Sequence, residues 1–206
     1  SGNVSFYNQT KEVGIKPTPS IGGVGLIKDY KKMVTMDFKK IDNLVLVIGK
    51  TEGHIDQSLF ARAILDEKNG PPPEVNLFNE KNNGESLLNL INKDYIQSAH
   101  DISLGGLITA ISKMCIQGNK GIKLKKANNF VNELEYLFCE DQGRYIIEIK
   151  PEDLKEVTNL LDKNSVHYDE LGIITDKEMI INQKTKLTID ELKSYYTNWL
   201  TNYMSA

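Results

Sequence analysis

Short apolar segments alternate with segments of helical periodicity from about Ile41 onward. Residues 43–49 and 144–149 are apolar runs rich in branched side chains, a pattern typical of buried strands. Residues 107–116 repeat their apolar side chains at helical spacing, which predicts a helix that ends near Gly118. Because strands and helices are interspersed, the sequence predicts an α/β domain (mixed α+β) in which helices pack on a mixed sheet.

The remaining elements follow from the same patterns and from local signals. Thr188 and Glu191 have the spacing of a capping box, which predicts a helix running from there towards Tyr203. Other helices are predicted over residues 56–65, 76–93 (with an interruption near 82–84), 129–137 and 151–161. Other strands are predicted over residues 21–27, 95–100, 122–124, 166–175 and 178–182.

Residues 1–40 differ from the rest because they are rich in Gly, Pro and Thr and show no helical period of useful length. The X-Pro steps at Pro17 and Pro19 favour extended or turn backbone. Such a segment cannot form a core by itself and requires a partner surface. We therefore expect residues 1–40 to be the tail of a preceding domain and residues 41–206 to be the principal domain.

The composition argues against several classes of protein. Of the 206 residues 40% are apolar, enough for a core, and the net charge of −3 comes without a basic stripe for nucleic acid. The longest apolar run, Leu44–Ile48, is too short to span a membrane, and no signal peptide is visible. Cys115 and Cys139 are expected to be buried, reduced thiols of a cytoplasmic protein.

The first candidate site is Gly2-Asn3-Val4-Ser5. A glycine lets the backbone approach a phosphate, and the carbonyl of an asparagine can reach Mg²⁺, a cation that prefers oxygen ligands. A serine hydroxyl can bond to a phosphate or a substrate oxygen. A polar surface loop has the same composition, so the spacing alone leaves both interpretations open.

The second candidate is the segment of residues 99–107, which joins a predicted strand to a predicted helix through a Gly-rich turn. Such a junction offers free N–H groups to an anion. Ser103 could instead cap the helix, which requires no ligand. His100 and Asp101 resemble an acid–base pair, although adjacent residues of an extended segment point to opposite faces.

The third candidate is the acidic loop Glu140-Asp141-Gln142, which could bind a metal but is better explained as a polar loop before a strand. His54 and His167 are isolated, and we expect structural roles for both rather than ligation. The sequence contains no zinc-ligand spacing, P-loop or nucleophile elbow.

Taken in order, the motifs of the chain resemble the final portion of the phosphoribosylformylglycinamidine synthase family, synthetase subunit. The similarity runs along nearly the whole chain, and residues 2–8 and 17–25 are its most specific parts. The motifs are Gly2-Asn3-Val4-Ser5-Phe6-Tyr7-Asn8, Pro17-Thr18-Pro19-Ser20-Ile21-Gly22-Gly23-Val24-Gly25, Gly53-His54-Ile55-Asp56-Gln57-Ser58, Gly70-Pro71-Pro72-Pro73, His100-Asp101-Ile102-Ser103-Leu104-Gly105-Gly106-Leu107 and Glu140-Asp141-Gln142-Gly143-Arg144.

The resemblance implies an ATP-dependent carbon–nitrogen ligase of purine biosynthesis. Such an enzyme converts formylglycinamide ribonucleotide, glutamine-derived ammonia and ATP to formylglycinamidine ribonucleotide. It also implies that residues 41–206 form the C-terminal domain of the aminoimidazole ribonucleotide synthetase-like fold and that residues 1–40 end an ATP-binding N-domain. The implied partners are a glutaminase subunit and a small PurS-type subunit, with no nucleic acid and no membrane.

The same resemblance assigns roles to individual residues: Gly2 contacts ATP, Asn3 binds Mg²⁺ and Ser5 contacts the substrate. The family's catalytic histidines and most of its metal carboxylates are expected upstream, so this chain alone is expected to be inactive. Leu104 stands where the family usually has Asp, and residues 55–57 also depart from the family pattern. These departures favour an auxiliary or scaffolding role, with the acidic loop a relic of a substrate-binding loop.

Two alternatives stay open at this point. The chain could belong to a related synthetase of the aminoimidazole ribonucleotide synthetase type, which residues 2–8 argue against. It could also be a non-catalytic C-domain that acts as a binding or dimerisation module.

Overall fold

The structure, a computed structural model of the chain, describes residues 7–15, 21–125 and 132–205. It divides the chain into two compact units, Ser1–Met33 and Val34–Ala206. The division falls before the domain boundary expected after residue 40.

The first unit contains little regular structure among its described residues. Strands β1 (Gln9–Thr10) and β2 (Val13–Gly14) form an antiparallel hairpin, and Tyr30–Lys32 form a 3-10 turn. None of the described residues of this unit is buried, as expected for a segment without a core of its own. The strand predicted for residues 21–27 is wrong, because its glycines weaken a strand and no neighbouring strand pairs with it in the described part.

The second unit is built on a seven-stranded sheet in the order β4-β6-β3-β7-β5-β8-β9. Every neighbouring pair is antiparallel except the parallel pair β5 and β8. The strands are β3 (Leu44–Ile48), β4 (Ile96–Asp101), β5 (Gly121–Leu124), β6 (Tyr145–Ile149), β7 (Tyr168–Thr175), β8 (Glu178–Ile181) and β9 (Thr185–Thr188).

Six helices accompany this sheet in the described residues. They are α1 (Leu59–Ala63), α2 (Leu77–Asn92), α3 (Gly106–Gly118), α4 (Glu133–Phe138), α5 (Leu154–Lys163) and α6 (Ile189–Ser205). Each of α1, α2 and α4 begins after a Ser or Asn whose side chain accepts a hydrogen bond from the first turn. The capping box before α6 is confirmed, since Thr188 and Glu191 exchange hydrogen bonds of 2.8 and 3.2 Å.

Two hydrophobic cores lie on the two faces of the sheet, because successive side chains of a strand point to opposite faces. On β3, Val45 and Val47 join the core that includes α3, α4 and the start of α6. Leu46 and Ile48 join the core that includes α2 and α5. The predicted α/β class with helices packed on a mixed sheet is therefore confirmed.

Most predicted elements are confirmed with small shifts of their ends, and the exceptions have physical causes. Helix α2 continues through residues 82–84, where Asn83 is buried and donates to the carbonyl oxygen of Gly143 at 2.9 Å. Strand β9 was not predicted, because it is a short and largely exposed edge strand without an apolar run. Both cysteines are free and buried, as predicted, and burial raises the pKa of Cys139 to about 11.

No helix in the described ranges has the length and apolar character needed to cross a lipid bilayer.

Candidate functional site

Three loops meet at one edge of the sheet and bring two of the candidate motifs together. They are residues 50–59, which follow β3, residues 102–105, which follow β4, and residues 139–144, which precede β6. Because β6 lies between β3 and β4 and runs antiparallel to both, its start lies beside their ends. We call these three segments the loop cluster.

Asp141 binds the backbone of the loop that follows β3. Its Oδ2 accepts hydrogen bonds from the N–H groups of Glu52 at 2.7 Å and Gly53 at 2.9 Å, and its Oδ1 accepts from His54 at 3.2 Å. Burial alone raises the pKa of Asp141, but the backbone N–H groups and the nearby Arg144 outweigh burial and hold the pKa below its usual value. Asp141 is therefore a fixed anion that orders this loop.

Glu140 occupies the position at the start of α3 that could have received an external anion. Its Oε1 accepts from the N–H groups of Gly105 at 2.8 Å and Leu59 at 2.7 Å. The anion that the Gly-rich turn was predicted to attract is thus a carboxylate of the same chain.

Ser103 could have capped helix α3, but in the structure it does not. The N-cap of α3 is Gly105, which has φ +86° and no side chain to bond, and Ser103 contributes only its carbonyl oxygen to Gly106. Gly106 has φ +71°, and a Cβ built there would lie 2.7 Å from the carbonyl oxygen of Cys139. The turn therefore requires glycine for its backbone conformation and for the close approach of the 139–144 loop.

Arg144 lies at the centre of the loop cluster, with only 1% of its surface exposed. It donates to the carbonyl oxygens of Cys139 at 2.8 Å and Asp141 at 3.2 Å, and to Oγ1 of Thr51 at 3.1 Å. The sequence placed Arg144 at the end of the acidic motif and at the start of a strand, but it assigned no role to the side chain. The signal for its role was a cation that follows two acids and immediately precedes a buried apolar run.

His54 and Gln57 attach a proline-rich loop to the cluster. The Nε2 of His54 lies 2.9 Å from the carbonyl oxygen of Pro71, and Gln57 donates to that of Gly70 at 3.0 Å. A cleft of about 520 Å³ lies beside them. Its lining is polar and comes from Lys50, Glu52, Gly53, His54, Glu74, Asn76, Asn79, Glu80, Asn83, Asp141, Gln142 and Gly143.

His100 and Asp101 line a different cavity, an open groove of about 760 Å³. Their side chains do meet, since Nδ1 of His100 lies 3.1 Å from Oδ1 of Asp101. At the end of β4 these two adjacent side chains therefore interact, contrary to the expectation that they point to opposite faces. The third histidine, His167, also lies beside an acid, with its Nε2 3.3 Å from Oδ2 of Asp169. Within the residues that the structure describes, no group of three or more His, Cys, Asp or Glu could hold a metal ion.

The sites predicted at Gly2, Asn3 and Ser5 lie outside the described residues. What the structure shows is a set of loops held by their own carboxylates and guanidinium group. Glu140, Asp141 and Arg144 bind mainly backbone atoms, so this arrangement positions loops and does not form an acid–base pair.

Residues 40–182 match the family model described as "AIR synthase related protein, C-terminal domain". The chain is 70% identical over 204 residues to the phosphoribosylformylglycinamidine synthase subunit PurL of Pelagibacter ubique. That match covers 99% of this chain and 28% of the relative, so the chain spans less than a third of that protein's length.

Solved structures share the fold at low sequence identity. A structure of T. maritima PurL complexed with FGAR gives a TM-score of 0.64 at 16% identity and covers 79% of this chain and 29% of that one. The structure of PurLQS from Thermotoga maritima gives 0.60 at 17% identity and covers 79% of this chain and 28% of that one. The fold of the chain is therefore that of the PurL structures.

Proposed function

Because the chain belongs to the AIR synthase related protein family and contains its C-terminal domain, we propose that it forms the C-terminal part of a phosphoribosylformylglycinamidine synthase subunit. The observation that carries this proposal is the 70% identity to a PurL subunit over 204 residues. This match extends beyond the family-matched residues 40–182. Residues 1–40 would then end an ATP-binding domain, and residues 41–206 would form the C-terminal domain.

The proposed reaction joins ammonia to formylglycinamide ribonucleotide at the expense of ATP. The amide oxygen of the substrate attacks the γ-phosphorus of ATP, and ADP leaves. Ammonia then adds to the activated carbon and loses a proton. The former amide oxygen leaves as part of inorganic phosphate, which gives formylglycinamidine ribonucleotide. When bound, Mg²⁺ offsets the charge of the ATP phosphates, while the protein chiefly positions the reactants.

We assign three contacts to the first residues of the chain. Gly2 would approach ATP, Asn3 would bind Mg²⁺ through its carboxamide oxygen, and Ser5 would contact formylglycinamide ribonucleotide. The chemistry of these side chains fits the roles, because Mg²⁺ prefers oxygen ligands and glycine permits a close backbone approach.

The domain of the second unit would have a scaffolding role and would supply no catalytic groups. Glu140 and Asp141 are occupied by backbone N–H groups, which favours a scaffolding role for the loop cluster. The chain alone is therefore proposed to be inactive. The intact subunit would act in the cytoplasm with a glutaminase subunit and a small PurS-type subunit, a proposal supported by the likeness to PurL in the PurLQS structure.

A chimeric subunit tests this function directly. In the chimera, this chain replaces the matching segment of the P. ubique relative, which is 28% of its length. The assay supplies ATP, ammonia and formylglycinamide ribonucleotide and measures the release of ADP. We expect substrate-dependent turnover by the chimera and none by the 206-residue chain alone. Turnover by the chain alone, or a folded chimera that is inactive beside an active relative, would contradict the proposal.

The role of Asn3 has its own test in the same chimera. Asn3→Ala removes the proposed oxygen ligand, so we expect the Mg²⁺ concentration for half-maximal turnover to rise about tenfold or more, in line with the loss of about 1.4 kcal/mol of binding or more. Thr10→Ala, at an exposed position of strand β1, is the control. An unchanged Mg²⁺ requirement in Asn3→Ala would remove Asn3 from the metal site.

A further inference from the structure

The outer half of α6, which we define as residues 194–205, is exposed at every position. The helix is anchored at its start, where Ile189 is buried and Leu192 packs against a hydrophobic core. One turn after Ile189, Nζ of Lys193 donates to Oδ1 of Asn119 at 2.7 Å. Beyond that bond, every residue of the remaining three turns of the helix is exposed.

The sequence of this outer half is amphipathic but contains no charged residue. Its polar face consists of short uncharged side chains: Ser194, Thr197, Asn198, Thr201, Asn202 and Ser205. The opposite face is apolar and follows the helical period. It presents Tyr195, Tyr196, Trp199, Leu200, Tyr203 and Met204, each between 58% and 79% exposed.

A helix end of this kind is not stable on the strength of its own sequence. Ser, Tyr, Thr, Asn and Trp are weak helix formers, and helices shorter than about 12–15 residues are marginal in water even for Ala-rich sequences. The stacking of Trp199 on Tyr203, with ring centroids 5.5 Å apart, contributes only a surface pair. The helix therefore needs a surface that covers its apolar face.

The chemistry of the face indicates a protein surface. Tyr, Trp and Met are enriched and charged residues depleted at the centres of protein interfaces. A helix that lies on a membrane normally carries Lys or Arg on its polar face, and this one carries none after Lys193. Four aromatic side chains bury roughly 150–250 Å² each when covered, which approaches the roughly 800 Å² that one partner contributes to a standard interface.

We propose that the outer half of α6 docks into an apolar groove on the part of the subunit that lies outside this chain. This inference depends on the proposed function. The relative with 70% identity carries the equivalent of this chain as only 28% of its length, so the remainder offers a large surface within the same molecule. Two copies of α6 are a poorer match for each other, because twelve residues make fewer than the three to four heptads that sustain a coiled coil.

Hydrogen exchange by mass spectrometry tests this docking without requiring activity. Exchange over residues 194–205 is measured in the 206-residue chain and in the chimeric subunit defined above. We expect fast exchange in the chain alone and protection increased about 100-fold or more in the chimera, because a docked helix opens less often. Trp199→Ser should reduce that protection about tenfold or more, whereas Thr201→Ala on the polar face should leave it within about twofold.

Three outcomes would overturn the proposal. One is equal exchange in the chain and the chimera. Another is protection in the chain alone that increases with its concentration, which would assign the face to a second copy. The third is equal sensitivity to Trp199→Ser and Thr201→Ala. Because turnover is measured separately, protection in an inactive chimera would contradict the proposed reaction while supporting the docking.

Discussion

The loop cluster and the outer half of α6 differ in how their characteristic groups are satisfied. In the loop cluster, Glu140, Asp141 and Arg144 all bind groups of the same domain, mostly backbone atoms. In the outer half of α6, six large apolar side chains remain exposed. The domain therefore satisfies the charged groups of its polar loops internally, whereas the apolar face of the outer half of α6 stays exposed. Mutations in the two regions should have very different effects on the isolated chain.

The largest effect is expected from Arg144→Met. The substitution removes three hydrogen bonds from a buried cation and leaves the carbonyl oxygens of Cys139 and Asp141 without this donor. We expect the free energy of unfolding to fall by about 3–5 kcal/mol. Denaturant unfolding of the isolated chain measures it.

Arg62→Met is the matched control, because Arg62 is exposed and its Nε makes only a long bond of 3.4 Å to the carbonyl oxygen of Ser58. This control should lose less than about 0.5 kcal/mol. Equal losses for the two variants would show that the loop cluster does not depend on its buried cation.

The next largest effect is expected from Gly106→Ala. The new Cβ would lie 2.7 Å from the carbonyl oxygen of Cys139, at a φ of +71° that alanine rarely adopts. We expect a loss of about 2–3 kcal/mol from strain and overpacking. The measurement is thermal or denaturant unfolding of the isolated chain.

Gly84→Ala makes the same substitution at a glycine where the structure leaves room for a Cβ, so the expected effect has the opposite sign. Gly84 lies inside α2, and its Cβ would approach only Oη of Tyr145, at 3.8 Å. We expect a gain of about 0.5–1 kcal/mol, because alanine is the better helix former. If both variants lose stability equally, the steric argument at Gly106 fails.

The sequence predicted the interior of the fold well and its edges poorly. Strand β3 and helix α3 carry their full apolar period, so their type and approximate bounds could be derived from side chains alone. Strand β9 pairs only with β8 at the rim of the sheet, and its exposed polar residues leave no alternating pattern. The hairpin of β1 and β2 is too short to produce a pattern at all.

The sequence could predict that residues 140–142 form a polar loop, but not which groups of the loop cluster their side chains contact. The sequence favoured a polar loop for Glu140 and Asp141, and in the structure both carboxylates accept hydrogen bonds from backbone N–H groups. Their partners are backbone N–H groups, which have no signature in the side-chain sequence; they belong to Glu52, Gly53, His54, Leu59 and Gly105. Only the tertiary structure shows that the loop of residues 139–144 binds both the loop of residues 50–59 and the loop of residues 102–105.

A smaller, pH-dependent effect is expected from Asp141→Asn. The pKa of Asp141 lies below its usual value in the folded chain, because its backbone hydrogen bonds and Arg144 outweigh the effect of burial. A carboxyl group with a depressed pKa stabilises the fold fully above its unfolded pKa and loses this contribution as the pH falls through the folded pKa. We expect the variant to lose about 1–2 kcal/mol at pH 7.

The difference between the wild-type chain and Asp141→Asn should therefore shrink below about pH 4. Denaturant unfolding at several pH values gives the measurement, with Asp66→Asn at an exposed position as control. A difference that stays constant from pH 7 to below pH 4 would show that the charge of Asp141 does not stabilise the loop.

The smallest effect is expected in the outer half of α6. Tyr195 is 79% exposed, so Tyr195→Ser should change the unfolding free energy of the isolated chain by less than about 0.5 kcal/mol. Leu192→Ala, one turn earlier where the helix packs against the core, should cost about 1–2 kcal/mol. Denaturant unfolding of both variants makes the comparison. A large loss for Tyr195→Ser would mean that the isolated chain already covers this face, and the contrast between the two regions would disappear.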